Sequence, residues 1–193
     1  IESFGRYLDS DNDGICYRTY PGTHPEKGAY FTRGTSHDEY ARYTEDGNIN
    51  AQTLTRLMRK FRTATDLVPE PIIEINGEDS CGVIYYGSSK PAVLEAKDIL
   101  KTKNINLDLM QIRSFPFNLD VWEFIANHDR IYVVEQNRDS QMRTLIMAEG
   151  GISAEILRPL VHFTGDPIEA SYIVNKISER EVNYKSHKNI KER

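Results

Sequence analysis

Two prolines, Pro69 and Pro71, divide the chain into parts with different hydrophobic patterns. Before them, apolar residues at helical spacing predict a helix that begins near Asn50 and ends before Pro69. Its apolar positions are Leu54, Leu57, Met58 and Phe61. After Pro71, short apolar runs alternate with segments of helical spacing. This alternation predicts an α/β fold with three layers, α/β/α, around a mainly parallel sheet, preceded by a loop-rich and helical linker.

The second part contains the predicted strands, at residues 82–86, 105–112, 131–134 and 160–163. Strands of a parallel sheet that are covered on both faces are almost wholly apolar. The run 131–134 fits this description and is predicted to lie at the centre of the sheet, whereas 105–112 alternates between apolar and polar residues.

Capping residues predict where the helices of the second part begin. Asp120, Asp139 and Asp166 each precede a segment with helical spacing, and aspartate is among the residues favoured at helix N-caps. The last residues, 181–193, are polar and have no continuous apolar stripe. They are predicted to form a polar tail.

Length, charge and cysteine content limit the possible functions. A chain of 193 residues suits one compact domain with an attached piece, and its net charge of −5 gives no support to nucleic-acid binding. No apolar run is long enough to cross a bilayer. Cys16 and Cys81 form no disulfide framework, and two cysteines cannot hold an iron–sulfur cluster or a structural zinc by themselves. We expect a soluble, cytoplasmic protein, and the start at Ile1 without a methionine predicts a piece of a longer polypeptide.

An acidic motif near the start has two interpretations. Asp9, Asp11, Asp13 and Gly14 match the first half of a calcium-binding loop, D-x-D-x-D-G. The twelfth position of that loop requires a bidentate glutamate, but Tyr20 occupies it. A turn, in which the aspartates bond to their own backbone, is therefore favoured over a calcium site.

The predicted helix also has a basic side. Its basic residues are Arg56, Arg59, Lys60 and Arg62. Such a face is usually solvated, but it is also suited to an acidic partner or to a ligand that carries phosphate. The sequence leaves these alternatives open.

Residues 21–45 form a long segment without helical or strand periodicity. The segment is rich in charged and aromatic residues, and long irregular segments in compact chains are usually functional or disordered. His37, with Asp38 and Glu39 directly after it, is a candidate catalytic imidazole. The same residues suit a polar loop that docks on another subunit, and this second interpretation is favoured.

Two further candidate sites follow predicted strands, because ligands of open α/β sheets bind at the carboxyl ends of the strands. Gly87, Ser88 and Ser89 open a helix, where backbone N–H groups can hold a phosphate, although a simple helix start explains them equally well. The second site is the polar run Glu135, Gln136, Asn137 and Arg138, directly after the central strand. Structural or interface use is favoured there over catalysis.

Three stretches of the sequence resemble one enzyme family. They are PGTHPEKGAYFTRGTSHDEYARYTED with the following RLMRKF, the proline boundary, and VVEQNRDSQMRTLI. Together they resemble the alpha subunit of the 2-oxoacid:ferredoxin oxidoreductases, and most of all the 2-oxoglutarate type. The resemblance covers nearly all of residues 4–180. The loop and the EQNRDSQ stretch carry it, whereas the alternation of strands and helices is generic.

The resemblance implies a domain assignment and a reaction. Residues 1–71 correspond to the end of a pyrimidine-side thiamine-diphosphate domain with a linker, residues 72–180 to a domain similar to the transketolase C-terminal domain, and residues 181–193 to a tail. In such enzymes a thiamine ylid attacks a 2-oxoacid, carbon dioxide leaves, electrons pass through iron–sulfur clusters to ferredoxin, and coenzyme A takes the acyl group. The cofactor supplies the difficult chemistry, and the protein orients it.

The resemblance also implies how the work is divided within the complex. Thiamine diphosphate, Mg and the iron–sulfur cluster belong to the whole complex, with a beta subunit, ferredoxin and coenzyme A as partners. This chain alone is expected to bind none of these cofactors and to be inactive. Arg33, His37 and Arg42 are expected to line the substrate or coenzyme A entrance. The expected interface residues are Glu135, Gln136, Asn137 and Arg138.

Two alternatives remain open. Transketolases and the beta chains of 2-oxoacid dehydrogenases resemble the second domain, although they do not carry the RGTSHDEYARYTED loop. A non-catalytic binding module fits the missing catalytic groups. An enzyme part should associate with a partner that holds thiamine diphosphate and clusters, whereas a free-standing module should purify alone.

Overall fold

The computed structural model describes residues 4–26, 36–77 and 81–191, without the side chains of residue 183 and residues 185–191. The chain splits into two compact units, Ile1–Val68 and Pro69–Arg193, which we call the N-terminal and the C-terminal unit. Their assignment to a thiamine-diphosphate domain and a transketolase-like domain stays a prediction. In the described ranges, no helix combines the length and the apolar character that a bilayer span requires.

The N-terminal unit is built on one long helix, α1, at Gly47–Ala64. It begins before the predicted Asn50 because the Asp46 carboxylate accepts hydrogen bonds from the backbone N–H of Asn48 at 2.8 Å and of Ile49 at 3.4 Å. Those N–H groups have no partner inside the helix, so the cap fixes its start. The helix ends before the prolines, as predicted.

Helix α1 packs through its basic side. Arg59 Nη1 lies 2.6 Å from Asp9 Oδ2, and Arg56 Nη1 donates to the Gly14 carbonyl at 3.0 Å. Simple solvation, one of the alternatives that the sequence left open, therefore does not describe these two arginines. The reason is that the loop before α1 offers carboxylate and carbonyl acceptors to the guanidinium groups instead of an apolar surface.

The acidic motif forms a turn whose carboxylates are used by the chain itself. Asp9 Oδ1 accepts from the Gly14 amide at 2.9 Å, and Asp13 Oδ1 accepts from the Ile15 amide at 2.8 Å. Asp11 accepts a hydrogen bond from the Tyr17 hydroxyl at 2.7 Å. These bonds confirm the predicted turn.

We expect the contact between this turn and α1 to weaken in acid. Partial burial raises the pKa of Asp9, but hydrogen bonds from Gly14 and Arg59 outweigh it and hold the pKa below the ordinary value of 3.8. A carboxyl with a depressed pKa stabilises the folded state above its unfolded pKa, and this contribution is lost as the pH falls through the folded value. The NMR shift of the Gly14 amide should therefore titrate with an apparent pKa below 3.8. Asp9→Asn should abolish the titration, and an unchanged titration in that variant would contradict the assignment.

The C-terminal unit is a five-stranded sheet in the order β1-β3-β2-β4-β5. The edge strand β1 is antiparallel to β3, and the other neighbours are parallel. The strands are β1 Ile72–Glu74, β2 Cys81–Tyr86, β3 Leu107–Ile112, β4 Ile131–Glu135 and β5 Leu157–Val161. The helices are α2 Lys90–Thr102, α3 Leu119–Ala126, α4 Gln141–Gly150 and α5 Ala170–Lys191, and a short 3₁₀ turn lies at Gly87–Ser89.

Helices cover both faces of the sheet, so the predicted three-layer α/β fold is confirmed. On one face, α2 and α5 pack through side chains such as Val93 and Ile173. On the other face, α3 and α4 pack through side chains such as Phe124 and Ile146. Every residue of β4 is buried, as its wholly apolar sequence predicted, but the middle strand of the sheet is β2 and not β4, so the predicted central position is wrong. Strand β3 is also buried on both faces, so the predicted alternation at 105–112 does not hold.

Several predicted boundaries are wrong. Strand β5 lies at Leu157–Val161, earlier than the predicted 160–163. None of the three predicted aspartate caps occupies the N-cap position, because the helices begin at Leu119, Gln141 and Ala170. The residues next to these helices did not reveal which groups accept hydrogen bonds from the first backbone N–H groups. For α4, the acceptor lies at the end of the preceding strand.

A buried polar cluster extends α5 into the segment predicted as a polar tail. The carboxylate of Glu181 accepts hydrogen bonds from Arg130 Nε at 3.0 Å and from the Tyr132 hydroxyl at 2.9 Å. The Tyr184 hydroxyl donates to Asp129, and the guanidinium of Arg130 lies 4.2 Å from the centre of the Tyr184 ring. These contacts join α5 to the start of β4, and the helix continues to Lys191.

Candidate functional site

The carboxylate of Glu135 lies at the carboxyl end of β4 and is fully buried. It accepts hydrogen bonds from the backbone N–H of Met142 at 2.8 Å and of Arg143 at 3.0 Å, and from Asn137 Nδ2 at 2.8 Å. The first N–H groups of a helix lack internal partners, and the helix dipole favours a negative charge beside them. Glu135 therefore fixes the start of α4, the role that the sequence assigned to Asp139.

Tyr86 belongs to the same cluster. Its hydroxyl donates to Glu135 Oε2 at 3.4 Å, and Asn137 Nδ2 lies 3.4 Å from the Tyr86 oxygen. Burial raises the pKa of Tyr86, and the nearby charge of Glu135 raises it further. The phenol is thus held in its protonated form as a hydrogen-bond donor, which does not suit it to act as a base.

Gln136 bridges two neighbouring loops at the same edge of the sheet. Its amide nitrogen donates to Ser88 Oγ at 3.0 Å and to Ser89 Oγ at 3.3 Å, and its amide oxygen accepts from the Ile168 backbone N–H at 3.1 Å. This position lies between β2 and β4, where the strand order reverses and open α/β sheets usually bind ligands. The serine hydroxyls of the predicted phosphate loop are therefore already engaged by Gln136.

The rest of the polar run holds its own loop. Asn137 Oδ1 accepts from the backbone N–H of Asp139 at 3.1 Å and of Gln141 at 3.2 Å. Arg138 Nε lies 2.7 Å from Asp139 Oδ1, with both side chains largely exposed. Of the predicted interface residues, Arg138 is therefore the side chain that this loop presents to solvent. The use of the run as an interface stays a prediction.

In the N-terminal unit, Asp38 organises a tight turn next to His37. Asp38 Oδ1 accepts from the backbone N–H of Tyr40 at 2.9 Å and of Arg42 at 2.8 Å, and Ala41 adopts a left-handed φ of 66°. The backbone N–H groups of the turn thus occupy the Asp38 carboxylate. The bond from the Arg42 N–H fixes the position of the Arg42 backbone relative to His37.

The His37 ring packs against Tyr7, with ring centroids 3.9 Å apart. Tyr7 is held in place by its backbone N–H, which donates to the Glu39 carbonyl at 2.9 Å. The Thr53 hydroxyl of α1 donates to the His37 carbonyl at 3.4 Å. His37 therefore lies in a packed position between the first loop and α1.

An open cleft of about 810 Å³ lies beside this turn. Its lining includes Arg42, Glu39 and Tyr40 from the turn and Gln52 and Arg56 from α1. His37 is not among the described residues that line it, and Arg33 lies outside the described residues. Of the predicted entrance residues, the structure thus brings Arg42 to a cleft.

The described residues do not offer a ligand set for a metal ion or for an iron–sulfur cluster. Among them, no group of three or more His, Cys, Asp or Glu side chains is arranged to hold a metal ion. Cys16 and Cys81 are both buried, and burial raises the pKa of Cys81 to about 12. Iron–sulfur ligation requires several thiolates, so the described part of the chain does not fit a cluster.

Comparisons with known proteins point to one family, although no family model matches the chain. The alpha subunit of 2-oxoacid:ferredoxin oxidoreductase 2 from Aeropyrum pernix is 28% identical over 176 residues, which are 86% of this chain and 26% of that protein. The alpha subunit of the 2-oxoacid:ferredoxin oxidoreductase from Saccharolobus solfataricus is 28% identical over 124 residues, 62% of this chain and 20% of that protein. This chain is similar to alpha subunits of 2-oxoacid:ferredoxin oxidoreductases. The resemblance predicted from the sequence is confirmed at this level.

A solved 2-oxoacid:ferredoxin oxidoreductase shares the fold. The 2-oxoglutarate:ferredoxin oxidoreductase from Magnetococcus marinus, with 2-oxoglutarate, coenzyme A and succinyl-CoA bound, matches 92% of this chain and 30% of its own. The TM-score is 0.77 and the sequence identity is 23%. The chain spans about a quarter of the length of the curated alpha subunits that it matches.

Sequence reasoning found the polar run that resembles the 2-oxoacid:ferredoxin oxidoreductases but missed what its members do. The bonds of Glu135 to α4 and of Gln136 to Ser88 join residues of different elements. A fully apolar strand that ends in a glutamate is the one local signal, because a buried carboxylate must find donors nearby. The cleft beside Arg42 has no comparable signal.

Proposed function

We propose that this chain is part of the alpha subunit of a 2-oxoacid:ferredoxin oxidoreductase that converts 2-oxoglutarate to succinyl-CoA and reduces ferredoxin. The observation that supports this most is the 28% identity to the Aeropyrum pernix alpha subunit over 86% of this chain. The shared fold with the Magnetococcus marinus enzyme agrees with it. A cytoplasmic location belongs to the same proposal.

Within that enzyme, the chain contributes to subunit assembly and to the active-site entrance. Residues 1–71 are the end of the thiamine-diphosphate domain and residues 72–180 the transketolase C-terminal-like domain. In this proposal, thiamine diphosphate, Mg and the iron–sulfur cluster are held by other parts of the complex, including a beta subunit. The loop with Glu135, Gln136 and Asn137 keeps one edge of the sheet in a fixed shape, from which Arg138 reaches a neighbouring subunit.

The entrance is the cleft beside the turn at Asp38. Arg42 lines it, with its guanidinium 5.5 Å from the centre of the Tyr40 ring. Both 2-oxoacids and coenzyme A are anions, and guanidinium is the side chain best suited to bind carboxylate or phosphate oxygens. Arg33 and His37 complete this entrance in the proposal.

Kinetics of the complete enzyme test the entrance. Arg42→Ala should raise the KM for the 2-oxoacid or for coenzyme A about tenfold, because a charge-assisted contact with an anionic substrate is lost. His37→Ala should lower turnover or assembly, since its ring holds the first loop against the turn. Arg18→Ala, also exposed in the N-terminal unit, is the control. Unchanged kinetics and an unchanged elution volume in both variants would remove these residues from the entrance.

Association tests the proposed enzyme part against the alternatives. The native polypeptide should co-purify with a subunit that carries thiamine diphosphate and iron–sulfur absorbance. Co-purification with thiamine diphosphate but without clusters would favour a transketolase or a 2-oxoacid dehydrogenase. Purification of the chain alone, with neither cofactor, would favour a binding module.

A further inference from the structure

Side chains close one edge of the five-stranded sheet. At the β5 edge, every second residue points its backbone groups away from the sheet, because the residues between them bond to β4. All three outward carbonyls accept a hydrogen bond from a helix: Leu157 from Arg143 Nε at 2.6 Å, Pro159 from Arg180 Nη1 at 2.8 Å and Val161 from the Tyr172 hydroxyl at 2.8 Å. Pro159 also has no N–H to offer. No further strand can add to this edge.

The backbone of β1 points outward at the opposite edge. The even-numbered residues of β3 bond to β2, as the hydrogen bond of 3.2 Å from the Cys81 N–H to the Asn106 carbonyl shows. The odd-numbered residues of β3 therefore bond to β1, and Ile72 and Glu74 lie opposite them. The N–H and C=O of Ile73, which lies between these two residues, consequently point away from the sheet.

The outward groups of β1 are open to another strand. By the same alternation, Ile75 and the Pro71 carbonyl also face outward. In the part of the chain that the structure describes, no group bonds to the outward N–H or C=O of Ile73 or Ile75. The side chains of Ile72, Ile73 and Ile75 are exposed to 47%, 38% and 63%. An exposed apolar edge strand is a template for pairing with a strand of another chain.

The open stretch from Pro71 to Ile75 is complementary to a second copy of itself. In an antiparallel pair with Ile73 opposite Ile73 of the second copy, these two residues exchange both backbone hydrogen bonds. Each Ile75 N–H then donates to the Pro71 carbonyl of the other copy. Pro71 lacks an N–H, but in this register it is needed as an acceptor, and the Ile75 carbonyl stays in water.

Charge and hydrogen bonding favour this register over its neighbours. Centring the pair on Glu74 would place two carboxylates directly opposite each other, which is destabilising. Centring it on Ile72 would set Ile73 opposite Pro71, which has no N–H to return. With Ile73 at the centre, Glu74 lies opposite Ile72, and Lys97 Nζ, 2.8 Å from Glu74 Oε1, balances its charge.

We propose that β1 pairs antiparallel with β1 of a second copy of this chain, with Ile73 at the twofold axis, so that the two sheets join into one. Pro71, Ile73 and Ile75 share one face of the strand, and with their counterparts they form an apolar row across the axis. The interface is isologous, because both copies contribute the same residues. The pairing goes beyond the enzyme assignment and does not depend on it.

Disulfide formation in the complete native assembly tests the register. Ile73→Cys places thiols on two opposed residues with Cα atoms about 5.5 Å apart, within reach of a disulfide. Ile72→Cys is the matched control, because the two copies of this residue lie diagonally, about 7 to 8 Å apart. The native Cys16 and Cys81 are buried and do not compete.

Mild oxidation should link two copies through Ile73→Cys at least about ten times more efficiently than through Ile72→Cys. Equal yields from the two variants would overturn the proposal. So would a disulfide from position 73 to a different polypeptide, identified by mass spectrometry.

Co-isolation of two differently tagged copies tests the pairing without a thiol. Ile73→Lys places like charges opposite each other, and Ile73→Pro removes the outward N–H without removing a bond of the chain's own sheet. Both should lower recovery of the second tag at least about tenfold, whereas Leu119→Lys, at a leucine of α3 that is 67% exposed, should leave it unchanged. Unchanged circular dichroism shows that the variants fold. Equal recovery with Ile73→Lys and Leu119→Lys would refute the pairing.

The pairing and the enzyme assignment fail in different ways. An assembly that carries thiamine diphosphate and clusters but holds a single copy of this chain would refute the pairing and leave the enzyme assignment standing. Two copies linked at position 73 in an assembly without those cofactors would support the pairing and refute the enzyme assignment.

Discussion

Glu135→Ala is expected to lower the free energy of unfolding of the C-terminal unit by about 3 to 5 kcal/mol. The side chain is fully buried, and its carboxylate accepts from Met142, Arg143 and Asn137. Its removal leaves the first N–H groups of α4 without acceptors in a site closed to water. Each unsatisfied buried group costs about 1 to 3 kcal/mol, and the cavity adds to this.

Two further variants make the Glu135 prediction specific. Glu135→Gln keeps the size of the side chain but loses its charge and one acceptor, so it should cost about 1 to 3 kcal/mol. Glu149→Ala removes an exposed glutamate near the end of α4 and should change stability by less than about 0.5 kcal/mol. Urea unfolding followed by circular dichroism measures all three. A Glu135→Ala midpoint equal to that of Glu149→Ala would contradict the role of Glu135.

Gly14→Ala is expected to detach the acidic turn from α1 and to destabilise the N-terminal unit by about 2 to 4 kcal/mol. A Cβ atom at this position would lie 2.2 Å from Lys60 N, 2.7 Å from Lys60 Cα and 2.8 Å from the Arg56 carbonyl oxygen. These are backbone atoms of a helix, so they cannot move aside cheaply. The positive φ of 84° adds strain for any residue with a side chain.

Gly22→Ala is the matched control for Gly14→Ala. Its φ of 88° carries the same strain, but no atom of the described residues lies within 4 Å of the added Cβ. This variant should cost about 1 kcal/mol and keep the turn in place. The protease sensitivity of residues 4–20 and the NMR shift of the Ile15 amide report the contact. Equal effects of the two variants would mean that backbone strain, and not contact with α1, explains the requirement for glycine at position 14.

The sequence predicted the fold class because strands and helices alternate with clear apolar runs. The wholly apolar run 131–134 predicted strand β4. The sequence also predicted helix α1 from the spacing of Leu54, Met58 and Phe61 but left open what packs against the helix. Periodicity shows that a helix has two different faces, but it does not show which partner covers each face. The acceptors in the turn from Asp9 to Gly14 decided the packing here, and these contacts are far apart in sequence.

The candidate site was predictable in composition but not in geometry. The polar run after β4 was visible, and the sequence favoured structural use, which agrees with the bonds of Glu135 and Asn137. Asp139 was the local choice to cap α4, yet Glu135 supplies the acceptor because β4 ends directly beside the helix start. Capping rules that count only neighbouring residues miss such contacts between elements.

The most direct test of the proposed enzyme is an activity measurement on the native assembly. The polypeptide is isolated from its source with an antibody to this chain, and the eluate is assayed for coenzyme A-dependent viologen reduction with 2-oxoglutarate and with pyruvate. The proposal predicts reduction that requires coenzyme A and is faster with 2-oxoglutarate, together with a second subunit and iron–sulfur absorbance. A colourless chain that elutes alone and reduces no viologen with either 2-oxoacid would contradict it.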